Sequence, residues 1–258
     1  MTMRPIDVEE LRGKVQGVYR QVAERPDGEF HFEMGRPLME RLGYDPATLD
    51  AVPAEALESF AGVGHHFDLA ALRPGERVLD AGSGSGADAF VAARAVGPDG
   101  SVVGIDMTEE QLAKSRRLAE RDGFANVGFR QGYLETMPVE DAAFDAVISN
   151  GVINLTADKA ATFRELARVL KPGGRLALSD IVSEKPLTEQ IKCDTSLWAA
   201  CIGGAAQVDD YRADLAAAGL RIREERDNSA YAFISKSAQG ATRDFGVKSV
   251  SLVAVKEG

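Results

Sequence analysis

The sequence predicts an α/β fold with a Rossmann-like, mostly parallel sheet, and three observations support this prediction. Short apolar segments alternate with amphipathic helical patterns from residue 76 to residue 181, as expected where helices connect parallel strands. The first apolar segment, residues 77–80, leads into a loop with glycines at positions 82, 84 and 86. The second segment ends at Asp106. A strand, a glycine loop, a helix and a strand that ends in an acidic residue form the βαβ unit of sites for adenosine-containing cofactors.

Periodicity and turn signals define the individual elements. Continuous apolar runs, typical of strands covered on both faces, predict strands at residues 77–80, 101–105, 127–131, 144–149 and 175–180. Helical spacing predicts helices at residues 87–96, 108–122 and 159–170, and Pro172-Gly173-Gly174 predicts a turn. Thr108 is a candidate N-cap, with Gln111 as its partner three residues later. The C-terminal part predicts a helix at residues 209–218, strands near 220–225 and 246–255, and a partly helical stretch between those two strands. The sheet should therefore have about seven strands.

The chain divides into a helical cap, residues 1–71, and a cofactor-binding domain, residues 72–258. The cap predicts helices at residues 8–23 and 37–42 and a third that starts at Pro53. It is too small to enclose its own core, so we expect it to pack over the mouth of the cofactor site. Residues 182–208 contain Trp198 and both cysteines and have little strand character. They are predicted to form a helical insertion after the fifth strand that serves as a lid or acceptor segment.

Composition limits the classes of function. The net charge of −10 and pI of about 4.9 disfavour a nucleic-acid partner, because the phosphate backbone would be repelled. The sequence has no run of 18 apolar residues and no apolar signal core near its first residue, so we expect neither a membrane partner nor export. Two cysteines provide no disulfide framework, which is typical of a reducing cytoplasm. The sequence leaves a homodimer open.

The spacing of the glycine loop distinguishes between adenosine cofactors. The loop reads G-x-G-x-G at Gly82, Gly84 and Gly86, and not G-x-G-x-x-G, which points away from nicotinamide cofactors. With Asp80 at the end of the preceding strand, it resembles motif I of class I S-adenosylmethionine (SAM) dependent methyltransferases. That resemblance implies that Asp80 accepts from the ammonium group of SAM, and that Asp106 accepts from the ribose hydroxyls. Glycines at the loop allow the cofactor to approach the backbone.

Three later segments resemble the same family. FDAVISNGVINL, residues 144–155, is similar to motif IV and brings Asn150 to the cofactor; RVLKPGGRLALSD and SVSLVAV are similar to the fifth and the antiparallel seventh strand. QGYLETMP, residues 131–138, is similar to an adenine-contacting loop, although many relatives carry Asp where this chain has Tyr133. The resemblance, which covers about 180 residues, implies that SAM is the cofactor and S-adenosylhomocysteine its product. The cofactor contacts that we predict are Asp80, Gly82, Gly84, Gly86, Asp106, Met107, Gln111, Tyr133, the Leu134 N–H, Glu135 and Asn150.

A narrower resemblance is to the arsenite methyltransferase-like group. It extends from about Tyr19 to the C-terminus and includes ESFAGVGHHF, IDMTEEQLAKSR, SNGVINLTADKA and LWAACIGGA. The resemblance implies a set of cysteines that bind trivalent arsenic, because soft thiolate ligands suit a soft metalloid. Cys201 stands at the position of one of these cysteines. The companion expected in the SNGVINL stretch is replaced, and no cysteine precedes residue 193. On an uninterrupted helix Cys193 and Cys201 would lie about 12 Å apart.

Candidate catalytic groups surround the expected cofactor mouth. Methyl transfer needs a general base only if the acceptor must lose a proton. His65 and His66 are candidates for that base; the alternative is that they have a capping or solvated role. Tyr19 is expected near the cofactor; the alternative is an ordinary packing role. Cys201 is a candidate ligand or nucleophile, against pocket lining. No resident metal site is predicted.

These observations predict a cytoplasmic SAM-dependent methyltransferase acting on a small-molecule acceptor at oxygen, nitrogen or carbon. Arsenite or another thiophilic metalloid is the second candidate for the acceptor. An NAD(P)-dependent oxidoreductase would also use a βαβ unit with Asp106, although the glycine spacing disfavours it. The remaining alternative is a non-catalytic module that binds SAM.

Overall fold

A single mixed sheet organises the chain. The computed structural model describes residues 7–188, 191, 198 and 202–257. Within these residues the strands run in the spatial order β3-β2-β1-β4-β5-β8-β7, with β6 paired to β5. The strand bounds are β1 Arg77–Ala81, β2 Ser101–Asp106, β3 Val127–Gln131, β4 Phe144–Asn150, β5 Leu170–Ser183, β6 Ala206–Gln207, β7 Leu220–Asp227 and β8 Lys248–Lys256.

The direction of the strands confirms the predicted fold class. Strands β1 to β5 pair in parallel, and β8 lies antiparallel between β5 and β7. The chain first adds β2 and β3 on one side of β1, and then adds β4 and β5 on the other side. Ligands of open α/β sheets bind where the strand order reverses in this way, at the carboxyl ends of the strands. The crevice between β1 and β4 is therefore the expected site.

Helices cover both faces of the sheet. Their bounds are α1 Val8–Glu24, α2 Arg36–Leu42, α3 Pro46–Leu49, α4 Ala54–Glu58, α5 Phe67–Ala70, α6 Ala87–Val96, α7 Glu109–Arg121, α8 Lys159–Val169, α9 Val208–Ala217 and α10 Lys236–Phe245, with a 3₁₀ turn at Ile153–Leu155. Helix α10 is the predicted helical stretch between the last two strands. The capping box predicted for α7 is wrong, because the Thr108 side chain makes no capping hydrogen bond and the Gln111 amide instead donates to the Tyr19 carbonyl.

The fifth strand is longer than predicted. Phe144 pairs with Leu170 and Ala146 pairs with Arg175, so the intervening residues bulge out of an otherwise continuous β5. The predicted turn at Pro172-Gly173-Gly174 is therefore a bulge inside the strand. Proline is tolerated there because a bulged residue makes no ladder hydrogen bond.

The N-terminal helices share the core of the sheet. Leu38 and Met39 belong to the same buried cluster as Val78 and Phe90, while Leu11 of α1 packs in the cluster of Ile181 on β5. This packing agrees with a cap that has no core of its own, whereas the division at residues 71 and 72 stays a prediction. Of the predicted helical insertion, residues 189–190, 192–197 and 199–201 lie outside the described residues, and Trp198 is buried in a helical conformation.

The polar side chain of His66, directly before α5, is buried. The His66 ring is completely buried and stacks on Phe67 at 5.0 Å, with its Nδ1 3.4 Å from the Ser179 hydroxyl. Its Nε2 has no hydrogen-bond partner in the described part of the chain. Burial, together with the neighbouring His65, lowers the pKa of His66 to about 3. The native fold therefore requires the neutral imidazole.

His66 makes stability depend on pH. Its ordinary pKa is about 6.5, so below that pH the unfolded chain binds a proton that the native chain rejects, and the free energy of unfolding falls until about pH 3. Between pH 7 and pH 5 this loss amounts to about 2 kcal/mol. We expect His66→Gln to remove that part of the pH dependence in urea unfolding. Equal pH dependence in the wild type and the variant would contradict the assignment, and His31→Gln, at a partly exposed position, is the control.

Candidate active site

A deep cleft opens at the carboxyl ends of β1, β2 and β4. Its volume, which includes the open solvent at its mouth, is about 1080 Å³. Its floor is formed by the glycine loop and the ends of the strands, and its roof by α1 and the segment after α4. The residues that line it include Leu11, Arg12, Val15, Tyr19, Gly62, Asp80, Gly82, Gly84, Ser85, Asp88, Asp106, Met107, Gln111, Tyr133, Leu134, Glu135, Asn150, Gly151, Val152, Leu155 and Thr156.

The glycine loop forms the floor of this cleft. Gly82 and Gly84 both have positive φ values, 80° and 51°, which residues with a side chain rarely adopt. A Cβ at Gly82 would lie 2.6 Å from Val152 Cγ1, whereas a Cβ at Gly84 would meet only the Gln111 amide oxygen, at 3.7 Å. Gly84 therefore leaves open space in the cleft, and Gly82 allows the loop to pack against the opposite wall.

Gly86 does not lie in the cleft wall, in contrast to the prediction that it contacts the cofactor. A Cβ at this position would be 2.8 Å from Phe129 and 2.9 Å from Phe90. Its φ of 92° turns the chain into α6. Gly86 thus allows the start of α6 to pack closely on the aromatic residues above the sheet, a role that the loop pattern alone does not distinguish from ligand contact.

Asp80 places an unsatisfied carboxyl group in the cleft. It ends β1, is 2% exposed, and its Oδ2 has no hydrogen-bond partner among the described residues. Burial, together with the nearby carboxylates of Asp88 and Asp106, raises its pKa well above the ordinary value. A buried acid of this kind is costly unless a cation compensates it. The site therefore suits a positively charged ligand group.

Asp106 holds the glycine loop in place. Its two carboxylate oxygens accept from the Gly84 N–H at 2.9 Å and from the Thr108 N–H at 2.8 Å. Desolvation nevertheless raises its pKa. Asp106 also lines the cleft, and its contact with the ribose hydroxyls stays a prediction.

The adenine-side wall combines apolar and charged groups. Met107 and Leu134 line the cleft, and Tyr133 is 38% exposed. The Arg12 guanidinium of α1 lies 4.2 Å from the centroid of the Tyr133 ring and 3.6 Å from Glu135 Oε1. Arg12 therefore connects the roof to the loop after β3. The sequence analysis missed it, because a single arginine on an amphipathic helix gives no local signal.

Gln111 connects the roof to the floor of the cleft. Its amide nitrogen donates to the Tyr19 carbonyl at 2.7 Å, and its oxygen accepts from the Ser85 hydroxyl. Tyr19 lines the cleft and stacks with Phe32 at 6.3 Å. Both polar atoms of Gln111 thus have protein partners. The contact that we predict between Gln111 and the cofactor is therefore a van der Waals contact.

The polar atoms of Asn150 are also hydrogen-bonded within the protein. Its Oδ1 accepts from the Val63 N–H at 2.8 Å, and its Nδ2 donates to the Asp88 carboxylate at 3.1 Å. Asp88 also accepts from the Tyr44 hydroxyl at 2.7 Å. Asn150 lies in the cleft wall as expected, but it acts there as a connector. Neither Tyr44 nor Asp88 was predicted, because an acid in the first turn of a helix is common for reasons of helix stability.

The structure does not place the two predicted histidines in the cleft wall. His65 packs edge-on against Tyr44 and lies 3.5 Å from Asp68, and its partial burial lowers its pKa. His66 lies against Ser179 on β5, as described above. Their position next to a glycine-rich segment suggested the cofactor mouth, but the His65 ring packs on Tyr44 and Phe67, and the His66 ring lies near Ser179 of β5. This placement does not support a general-base role.

A partly buried lysine holds the 3₁₀ turn beside the cleft. Lys159 Nζ donates to the Asn154 and Thr156 carbonyls and lies 4.6 Å from the Trp198 ring centroid. Burial lowers its pKa to about 8. Lys159 thereby ties the 3₁₀ turn that carries the cleft residue Leu155 to the segment after β5. Cys193 and Cys201 lie outside the described residues.

The residues present fit SAM. The orphaned Asp80 oxygen matches an ammonium group, Asp106 matches vicinal hydroxyls, and Gly84 leaves the floor open. Within the described residues no group of three or more histidines, cysteines or acids could hold a metal ion. Among the helices in that part of the chain, none combines the length and the apolar character that a membrane crossing requires.

Comparison with known proteins agrees with this site. Residues 72–219 match the family model described as a methyltransferase domain, which is more than half of the chain. The chain therefore belongs to the methyltransferase domain family, and its fold and cofactor are those of the class I SAM-dependent methyltransferases.

Its relatives lie in the arsenite methyltransferase group. The chain is 42% identical over 214 residues to an arsenite methyltransferase of Halobacterium salinarum, covering 82% of this chain and 54% of the relative. It is 47% identical over 148 residues to that of Aquipseudomonas alcaligenes, covering 55% of this chain and 43% of the relative. The chain thus spans about half the length of these curated relatives.

Solved structures give the same result. An arsenic(III) S-adenosylmethionine methyltransferase from Chlamydomonas reinhardtii superimposes with a TM-score of 0.68 at 33% identity, covering 82% of this chain and 72% of that one. A geranyl diphosphate methyltransferase superimposes with a TM-score of 0.69 at 19% identity, covering 95% of this chain and 99% of that one, and shares the fold alone.

Replacement of Asp80 tests the cofactor assignment. We expect Asp80→Asn to bind S-adenosylhomocysteine about 10- to 100-fold more weakly in titration calorimetry, because a charge-assisted hydrogen bond of roughly 1.5–3 kcal/mol is lost. The melting temperature of the free variant should not fall, since a buried unpaired carboxyl group is removed. Asp99→Asn, in an exposed turn, is the control. Unchanged affinity in Asp80→Asn would refute the ammonium assignment.

Proposed function

We propose that this chain transfers the methyl group of SAM to a small organic acceptor that enters on the β4 side of the cleft. One observation carries the proposal: the cleft joins an acidic end, at Asp80 and Asp88, to an apolar wall. Leu11 and Val15 of α1 face Val152 and Leu155 across that wall. The acidic end suits the amino-acid part of the cofactor, and the apolar wall suits a carbon-rich acceptor.

The residues around the cleft bind, orient and exclude water. SAM supplies a methyl group on a positively charged sulfur. Asp80 holds the ammonium group of the cofactor and Asp106 its ribose hydroxyls, while α1, tied down by Arg12 and by the Gln111 contact, keeps water from the reacting atoms. Orientation alone accounts for much of the rate of such a displacement. An acceptor atom that already carries a free lone pair requires no base.

The end of β4 favours an organic acceptor over arsenic. Gly151 and Ile153 stand in the stretch where the resemblance to arsenite methyltransferases implies a cysteine. A Cβ at Gly151 would lie 3.2 Å from the Val63 side chain, so an aliphatic group borders this position. The sequence contains no cysteine before Cys193, and a soft metalloid prefers several thiolates.

Arsenite is the second candidate, because the curated relatives at 42% and 47% identity carry that activity in their names. The deciding assay measures S-adenosylhomocysteine release from SAM and the purified chain, with and without arsenite in excess glutathione. We expect no arsenite-dependent product, while calorimetry in the same preparation shows SAM binding. A panel of small organic acceptors should then reveal turnover. Arsenite-dependent product would reverse the order of the two acceptors.

The cysteines separate the two candidates by a second route. With an organic acceptor, Cys193→Ser and Cys201→Ser should each retain turnover within about threefold, because methyl transfer to such an acceptor needs no thiolate ligand. Loss of most turnover in either variant, with SAM affinity unchanged, would favour thiolate binding of a metalloid.

Binding and turnover measurements would distinguish two other classes of protein. Preferential binding of NADH over SAM would support an oxidoreductase. Tight SAM binding with no turnover on the whole panel would support a non-catalytic module. The cytoplasmic location, the homodimer and the absence of a nucleic-acid partner stay predictions from the sequence.

A further inference from the structure

Asp88 lies beside Asp80 but has a different environment. It is in the first turn of α6, is 6% exposed and lines the cleft. Its Oδ1 accepts from the Tyr44 hydroxyl at 2.7 Å, and its Oδ2 accepts from Asn150 Nδ2 at 3.1 Å. Asp80, which also lines the cleft, thus keeps one oxygen without a partner in the described part of the chain, whereas both oxygens of Asp88 accept from side chains.

That network ends at the turn of residues 62–64. Asn150 Oδ1 accepts from the Val63 N–H at 2.8 Å and from the Gly64 N–H at 3.3 Å, and Nδ2 donates to the Gly64 carbonyl at 3.0 Å. The packing is close, because a Cβ at Gly62 would lie 2.6 Å from Asn150 Cγ. Gly62 itself lines the cleft. The turn is therefore held in place by the same side chain that donates to Asp88.

No cation balances the two acids within the described part of the chain. The charged or titratable groups that face them are Asp106 from β2 and Tyr44 from the loop before α3. Burial raises the pKa of Asp88 to about 6, against the lowering effect of its two hydrogen bonds. Burial and the neighbouring Asp88 also raise the pKa of Asp80.

We propose that Asp88 is a positioning residue that couples the positive charge of the bound cofactor to the turn of residues 62–64, through Asn150 and Tyr44. A cation beside Asp80 favours the ionised form of the acid pair. Ionised Asp88 accepts stronger hydrogen bonds from Asn150 and Tyr44, and Asn150 then holds the turn more firmly against the cleft. The proton that leaves the pair passes to the solvent, so one proton is released for each cofactor bound to the protonated chain.

The proposal concerns cofactor binding, and it is independent of the acceptor. Titration calorimetry with S-adenosylhomocysteine, in two buffers that differ in ionisation enthalpy, measures the released proton. Near pH 5.5 the wild type should release up to about one proton per ligand, and the release should fall as the pH rises. Asp88→Asn should release clearly less at pH 5.5 and should show a flatter dependence of affinity on pH. Asp99→Asn should behave as the wild type.

Amide hydrogen exchange distinguishes this coupling from a purely structural role. In the wild type, S-adenosylhomocysteine should slow exchange in a peptide that contains Val63 and Gly64. At pH 5.5, where the wild type releases a proton on binding, that ligand-dependent protection should be lost in Asp88→Asn under saturating ligand. A structural role alone would change exchange in the free protein and leave the ligand-dependent part intact, which would overturn the proposal.

Tyr44→Phe provides a second variant that leaves both acids in place. It removes one hydrogen bond that favours the ionised form of Asp88, so the midpoint of proton release should move to higher pH. An unchanged midpoint, or a proton release in Asp88→Asn equal to that of the wild type, would contradict the coupling. If the wild type fails to bind S-adenosylhomocysteine at all, the cofactor assignment itself is wrong.

Discussion

Two buried carboxyl groups at the ends of β1 and α6 impose the main energetic constraint on this molecule. Asp80 keeps an oxygen without a partner in the described part of the chain, and burial raises the pKa of both Asp80 and Asp88. An arrangement of this kind lowers stability in the empty protein. It becomes favourable when a cationic group occupies the cleft, and SAM carries two positive charges there, an ammonium and a sulfonium. Strain of this kind, concentrated at a ligand site, is characteristic of function.

The sheet order explains why these groups meet. Because β1 lies between β2 and β4, the ends of all three strands open into one cleft, and Asp106 from β2 can hold the glycine loop that follows β1. Long-range contacts then close the site from above. Arg12 reaches the loop after β3, Gln111 holds the carbonyl of Tyr19, and each tie depends on α1 packing over the sheet.

The parts of the site that lie within one βαβ unit could be predicted from the sequence, because their geometry is local. Asp80, Asp106 and the open position at Gly84 follow from the strand–loop–helix pattern. Groups brought together from distant segments were missed or placed differently: Tyr44 reaches Asp88 across 44 positions, and Asn150 serves the turn of residues 62–64. The same limit explains His65, whose ring packs on Tyr44, His66, whose ring lies near Ser179 of β5, and Gly86, which packs on Phe129 and Phe90. A local pattern cannot distinguish a glycine that admits a ligand from one that admits an aromatic ring.

A crystal structure of the chain with S-adenosylhomocysteine tests the central claim most directly. We expect the ligand in the cleft at the ends of β1, β2 and β4, with its amino group beside Asp80, its ribose hydroxyls beside Asp106 and its adenine near Met107 and Leu134. Ligand bound outside this cleft, or in the reverse orientation with adenine beside Asp80, would contradict it.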